Sequence, residues 1–249
     1  YICEHPCEAR CRRNMIDDAI NIRGLKRYAV DHAGEVPQPE CAPATGKKVA
    51  IVGGGPSGLS CAYYLTLMGH KVTVYEEAKQ LGGMLRYGIP NYRFPRHLLN
   101  AEIESILSLG IEVHTGVTVG KDIWIEDLQK EYDCLYIAIG AHQDKKTGIP
   151  GEDSVNVMSA VEMLRDEEGV AKALWVQPQI IGEVDKAGRP RPGNANLPEV
   201  RLEADIIVVA IGQGIEISGF DAAGVPIKRG TFVAGLSGQV GDMDNVFAG

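Results

Sequence analysis

A short apolar run, Val49-Ala50-Ile51-Val52, leads straight into Gly53-Gly54-Gly55-Pro56-Ser57-Gly58, and a helical pattern begins at once behind it. A continuous apolar run of this length, bounded by a glycine turn, reads as a strand buried on both faces. Ser57–Met68 reads as a helix closed by Gly69, and Lys71–Tyr75 as a second β-branched strand. Strand, helix and strand in this order make a parallel βαβ unit, the start of a doubly wound α/β sheet. Gly53, Gly55 and Gly58 stand in G-x-G-x-x-G spacing between strand and helix. The first glycine permits the tight turn, the second lets a pyrophosphate approach the backbone, and the third lets helix and sheet pack closely. Free N–H groups and the partial positive charge at the helix start complete an anion-binding cradle. A turn that binds nothing is the bland alternative.

Glu76 ends the second strand about twenty residues further on, the offset at which a carboxylate takes a ribose 2′-OH. A solvated strand-end charge is the competing reading. The segment after it, Glu76-Glu77-Ala78-Lys79-Gln80-Leu81-Gly82-Gly83-Met84-Leu85-Arg86-Tyr87-Gly88-Ile89-Pro90, separates FAD from NAD. A Gly82-Gly83 pair lets backbone close over a second part of a longer ligand, and Arg86 can neutralise pyrophosphate or face an isoalloxazine edge. FAD is therefore the expected ligand, with NAD in a single-domain dehydrogenase as the reading it displaces.

Elsewhere the signals are coarser. Residues 21–33 read as a helix with Asn21 as N-cap and Leu25, Tyr28 and Ala29 on one face. Residues 34–46, with Pro37, Pro39 and Pro43, read as a linker. A helix starts near Pro95 and carries Leu98, Leu99, Ile103, Ile106 and Leu107; strands are expected at Ile111–His114 and Cys134–Ile139, with a short helix near Ile125–Lys130 between them. Ser159–Arg165 reads as helix. Residues 172–182 and 199–204 read as the strands of a hairpin joined by a long exposed loop, Lys186–Pro198. Asp205–Ile211 reads as a buried strand, and a last strand begins at Asn245–Ala248. The expected organisation is a cysteine-bearing helical segment and linker over 1–46, a Rossmann-like FAD-binding domain over 47–165 and 205–249, and a remnant hairpin of a nicotinamide domain over 166–204.

Composition excludes some functions. The chain has 25 basic and 33 acidic residues, a net charge of −8, and so repels nucleic-acid phosphates. Its longest apolar runs fall far short of the ~20 residues that span a bilayer. The opening Tyr-Ile-Cys-Glu-His-Pro has neither a signal-peptide pattern nor an initiator Met, which reads as a fragment of a cytoplasmic protein. Of six cysteines, Cys3, Cys7 and Cys11 crowd the start beside Arg10, Arg12 and Arg13. Three thiols in a Cys-poor chain suit metal or cluster ligation, although C-x3-C-x3-C fits no simple zinc finger and a four-ligand site needs another donor. Small thiols in a helical segment are the alternative. Cys61 and Cys134 read as core residues. His5, Glu77, His97 and His142 read as surface residues, and no catalytic acid–base dyad or nucleophile emerges.

The run from Cys3 to Arg13, the glycine turn and the Glu76–Pro90 segment together resemble the small (β) subunit of NADPH-dependent glutamate synthase and related flavoprotein oxidoreductases. Ala138-Ile139-Gly140-Ala141, Val208-Val209-Ala210-Ile211-Gly212-Gln213 and Asn245-Val246-Phe247-Ala248-Gly249 add to the match. The resemblance implies that FAD contacts Gly53, Gly55, Ser57, Gly58, Glu76, Gly83, Met84 and Arg86, with Pro56 and Gly82 in the same two turns. It implies Val119 near the adenine, Gly140 close to the cofactor, and Cys3, Cys7 and Cys11 as [4Fe–4S] ligands. NADPH or NADH would supply hydride, and a redox partner subunit or iron–sulfur protein would receive electrons. Three departures stand out. Cluster ligands that the family carries upstream are not in this chain, so the ligand set is incomplete. No second strand–glycine–helix unit occurs between 166 and 205, and the only other close glycines, Gly212 and Gly214, lack a third glycine three positions on, where Ile217 sits. The chain also stops at Gly249, before the Gly-Asp expected against the ribityl chain. The nicotinamide domain is therefore expected to be largely absent, which leaves a truncated FAD-holding scaffold without turnover as the alternative function.

Overall fold

A computed structural model describes residues 1–146, 148, 152–153, 157–165, 173–176, 179–184, 190–198, 200–203, 207–210 and 212–249. They group into two compact units, residues 1–141 with 215–249, and residues 142–214.

The first unit is built on a five-stranded parallel sheet: β1 (Lys48–Val52), β2 (Lys71–Glu76), β3 (Glu112–Thr115), β4 (Cys134–Ile137) and β5 (Val246–Ala248), in spatial order β5-β4-β1-β2-β3. Helix α1 (Ile22–Asp31) precedes the sheet; α2 (Pro56–Leu67) links β1 to β2, α3 (Met84–Tyr87) and α4 (Arg96–Leu107) link β2 to β3, and α5 (Ile125–Glu131) links β3 to β4. The doubly wound α/β expectation holds, and the expected strands and helices of this unit form with ends displaced by one or two residues.

Strand alternation sorts the core. Val49, Ile51, Val72 and Val74 pack with Leu59 and Ala62 of α2 and with Leu99 and Ile103 of α4. Ala50, Val52, Leu135 and Ile137 pack with Ile125 and Leu128 of α5, and with Phe220, Val225, Val240 and Val246. Successive side chains point to opposite faces, so an unbroken apolar strand such as β1 needs both faces covered. Each such side chain taken fully out of water contributes roughly 1.5–3 kcal/mol. β1 and β4 are neighbours, yet β1 connects onward to β2. The order of connection reverses between β1 and β4, and in open α/β sheets ligands settle outside the carboxyl ends of the strands at such a point.

Several expectations change. Helix α1 forms, and the Asn21 side chain accepts the Gly24 N–H at 2.9 Å, but Leu25 and Tyr28 are 62% and 65% exposed, so the predicted apolar face is not buried. The residues 173–176 and 200–203 do pair antiparallel, but Gln179–Val184 pairs instead with Pro190–Asn194, inside the stretch expected to be loop. A two-stranded ribbon has an unpaired edge on each strand, so prolines with no N–H to donate fit there. Ile207–Val209 pairs in parallel with Val157–Ser159, outside the five-stranded sheet. The expected junction at 166–172, the start of the expected loop at 186–189, residue 204 of the expected hairpin, and residues 205, 206 and 211 of the strand expected at Asp205–Ile211 lie outside the described residues.

Candidate functional site

The glycine turn sits at the carboxyl end of β1, and its glycines have different physical reasons. Gly53 has φ +108°, and a Cβ there would lie 2.3 Å from the Ala138 carbonyl oxygen. A Cβ on Gly58 would lie 1.9 Å from the Gly53 carbonyl oxygen. Both positions are closed to larger residues by the protein's own backbone. Gly55 is different. Its φ of −81° is open to any residue, and a Cβ would meet nothing nearer than the Gly83 Cα at 3.7 Å. Packing does not require glycine at 55; a side chain there would obstruct only the approach to the start of α2. Pro56 occupies the first turn of that helix and no side chain caps it, which leaves its leading N–H groups free for a ligand.

Glu76, at the end of β2, accepts the Gly54 N–H at 2.6 Å with one carboxylate oxygen and the Ala78 N–H at 2.7 Å with the other. Each oxygen keeps a lone pair, so the carboxylate is oriented and still able to accept from a diol. The Gly82-Gly83 turn lies directly on the fingerprint. The Gly82 N–H donates to the Gly54 carbonyl at 2.8 Å, and Gly83, at φ +51°, would bring a Cβ to 2.9 Å from the Gly55 Cα. Two glycine backbones are thus stacked, and Met84 opens the single helical turn α3 behind them.

Arg86 is engaged within the protein. Its Nε donates to the Leu81 carbonyl at 2.5 Å and its terminal nitrogen to Asn100 Oδ1 at 2.6 Å. The Ser57 hydroxyl shares a 2.8 Å hydrogen bond with the Tyr136 hydroxyl and donates to the Gly249 carbonyl at 3.3 Å, tying the start of α2 to β4 and the residue after β5. Gly140 turns the chain after β4 at φ +67°. Val119 packs its side chain in the core beside Ile125 and Leu128, and the Val117 N–H donates to the Glu76 carbonyl at 3.0 Å. Neither Val117 nor Asn100 had a signal in the sequence, because both depend on how β3 and α4 return to the turn.

Cys3 and Cys7 are exposed and Cys11 is half-buried. Backbone N–H groups of Ile20 and Arg13 lower the Cys11 thiol's pKa, which favours the thiolate that binds metals. Among the described residues, however, no three His, Cys, Asp or Glu side chains converge on a point that could hold a metal ion. Cys61 and Cys134 behave as core thiols: burial, with Cys134 nearby, pushes Cys61 up to about 11, and burial raises Cys134 as well. Among the described residues no helix is long and apolar enough to cross a membrane.

Residues 51–100 match the family model of an NAD(P)-binding Rossmann-like domain. The chain is 46% identical over 157 residues, 61% of its length, to the NADPH-Fe(3+) oxidoreductase subunit beta of Geobacter sulfurreducens. It is 31% identical over all of its length to the NADP(+)-dependent formate dehydrogenase subunit beta of Moorella thermoacetica. It is 37% identical over 170 residues, 66% of its length, to the glutamate synthase [NADPH] small chain of Bacillus subtilis. It spans only 23%, 50% and 34% of those three proteins. The fold also matches that of Mycobacterium tuberculosis FprA in complex with NADPH, with a TM-score of 0.67 and 13% identity over 83% of this chain and 78% of that one. The chain is a homologue of the oxidoreductase subunits that include the glutamate synthase small chains and the NADPH-Fe(3+) oxidoreductase β subunits, and it carries their Rossmann-like fold.

Proposed function

We propose that the chain is the FAD-holding part of an NAD(P)H oxidoreductase subunit of the glutamate synthase small-chain type. The observation that carries this reading is Gly55, a position open in conformation and in space, facing Gly83 across the start of a helix with no side-chain cap. The residues fit a dinucleotide as follows. Gly53 to Gly58 and the start of α2 would receive the diphosphate, Glu76 the adenosine ribose, and Gly82, Gly83 and Met84 the stretch beyond. Arg86 fixes this turn through its bonds to Leu81 and Asn100, and its remaining N–H donors would be available to the cofactor. When bound, flavin supplies the conversion of a two-electron hydride donor into single-electron steps. No side chain of this chain is needed as an acid, base or nucleophile for that exchange.

The Moorella relative aligns over 351 positions against the 249 residues of this chain. The relative thus has residues in that span with no counterpart here, which supports the reading that most of a nicotinamide domain is absent. The cysteine segment would then face an electron-accepting partner subunit or iron–sulfur protein, with Cys3, Cys7 and Cys11 serving a [4Fe–4S] cluster only if other ligands join them. The second reading, a scaffold that holds FAD without turnover, is favoured by the same alignment. Reconstitution of the purified chain with FAD, followed by extraction and absorbance, tests the site; a folded protein that retains no flavin ends the proposal. Anaerobic addition of NADPH and NADH to the reconstituted chain separates the two readings, since bleaching of the flavin band marks turnover and an unchanged band marks the scaffold. An iron count on the same preparation tests the cluster.

A further inference from the structure

The turn that lies on the glycine fingerprint is short of internal support. α3 has four residues, too few for a helix that stands alone in water, and the carbonyls at its end need partners. Arg96, in the first turn of α4, supplies them. One terminal nitrogen donates to the Leu85 carbonyl at 2.9 Å, and the other to the Ile89 carbonyl at 2.7 Å. The Arg96 backbone N–H is itself held by Asn91 Oδ1 at 3.0 Å, so the guanidinium springs from a fixed point. A planar fork reaching two acceptors at once is a geometry that lysine cannot copy.

The charges make this arrangement costly to keep by chance. Arg86 and Arg96 are near enough that the Arg86 charge, added to the larger effect of burial, lowers the pKa of Arg96. Both are partly buried, both serve neutral acceptors, and among the described residues neither forms an ion pair with a carboxylate.

We propose that Arg96 is a positioning residue of the dinucleotide site, forking across the Leu85 and Ile89 carbonyls so that the Gly82-Gly83 turn is already seated against Gly55 before cofactor arrives. The inference rests on the FAD reading of that site. Holding a binding turn in its bound shape beforehand raises affinity by removing the cost of ordering it. Arg96 touches no ligand in this account; it acts through α3.

The test uses the 249-residue chain and FAD as the probe, with flavin fluorescence to follow binding. Arg96→Lys keeps the charge and loses the fork; its dissociation constant for FAD is expected to rise at least about tenfold, with the apoprotein's far-ultraviolet circular dichroism unchanged. The visible band of any flavin that remains is expected to shift, as a loosened turn changes its surroundings. Arg93→Ala, which removes only an exposed contact to Glu4, is expected to bind as wild type does. In the wild-type apoprotein, the amides of Arg86, Tyr87, Gly88 and Ile89, all bonded within this turn, are expected to be protected from hydrogen exchange before FAD is added. Wild-type affinity in Arg96→Lys would overturn the proposal, as would amides that become protected only after FAD binds. The exchange result decides the matter even if the variant fails to fold. A wild-type chain that binds no FAD would instead overturn the underlying reading of the site.

Discussion

Two glycine-rich turns follow apolar strands in this chain, and they have little else in common. Gly53–Gly58 leaves the central strand of a five-stranded sheet, and a twelve-residue helix starts within it. Gly212-Gln213-Gly214 leaves a strand of one parallel pair and enters another short pairing, with residues 143–144. A Cβ on Gly58 would strike backbone at 1.9 Å, whereas one on Gly214 would find nothing within 4 Å. Glycines at similar spacing thus acquire meaning from what stands behind them. Only at Gly53–Gly58 does a buried strand feed a helix start, the arrangement that suits a phosphate.

Substitution by alanine breaks this comparison most sharply at Gly58. The obstructing atom is a backbone carbonyl that cannot rotate aside, so Gly58→Ala is expected to destabilise the fold by about 3 kcal/mol, read as a lowered urea midpoint. Gly214→Ala is expected to move it by no more than about 0.5 kcal/mol. Equal effects at the two positions would mean that the turns do not differ as described. Next in size is Gly55→Ala. Stability should hold or rise slightly, because the backbone conformation suits alanine, while FAD affinity falls at least about tenfold, or 1.4 kcal/mol. A variant that loses fold and flavin together would move Gly55 into the class of Gly53 and Gly58.

Much of the first turn was legible in the sequence because its determinants are local. Strand, glycines, helix and Glu76 all fall within thirty residues, and their spacing carries the chemistry. The clamp on the second turn was not legible. Arg86 reads as a cation for pyrophosphate or an isoalloxazine edge, but nothing in the spacing announces its bonds to Leu81 and to Asn100, fourteen residues away, and Arg96 looks like any charge at a helix start. Region 142–214 was harder for another reason. Short strands there pair with whatever lies alongside, so Pro190 and Pro192 read as loop, yet they fit an open ribbon edge.

The smallest expected effect concerns the base of the sheet. Lys47 Nζ meets Asp133 Oδ1 at 2.7 Å, and the Lys48 N–H donates to Asp133 Oδ2 at 2.9 Å, which joins the entry of β1 to that of β4. The Lys47 contact, with the Lys48 N–H, holds the Asp133 carboxyl below its ordinary value. A depressed carboxyl stabilises the fold above its unfolded value, near 3.9, and that contribution fades as pH falls through the lower folded value. Both side chains are exposed, so a small loss of melting temperature is expected below about pH 4. Asp133→Asn should remove this pH-dependent part, and an unchanged acid profile in the variant would sink the assignment.

β5 lies beside β4, although more than a hundred residues separate them along the chain. Everything between is, for the sheet, one closed excursion whose two ends are pinned by neighbouring strands. The entropy of closing such an excursion grows only with the logarithm of its length, about 0.6 kcal/mol per doubling. Length can therefore change within residues 142–214 at little entropic cost to the parallel sheet, whereas Phe220, Val225 and Val240, further along the same excursion, are fixed by their place in its core.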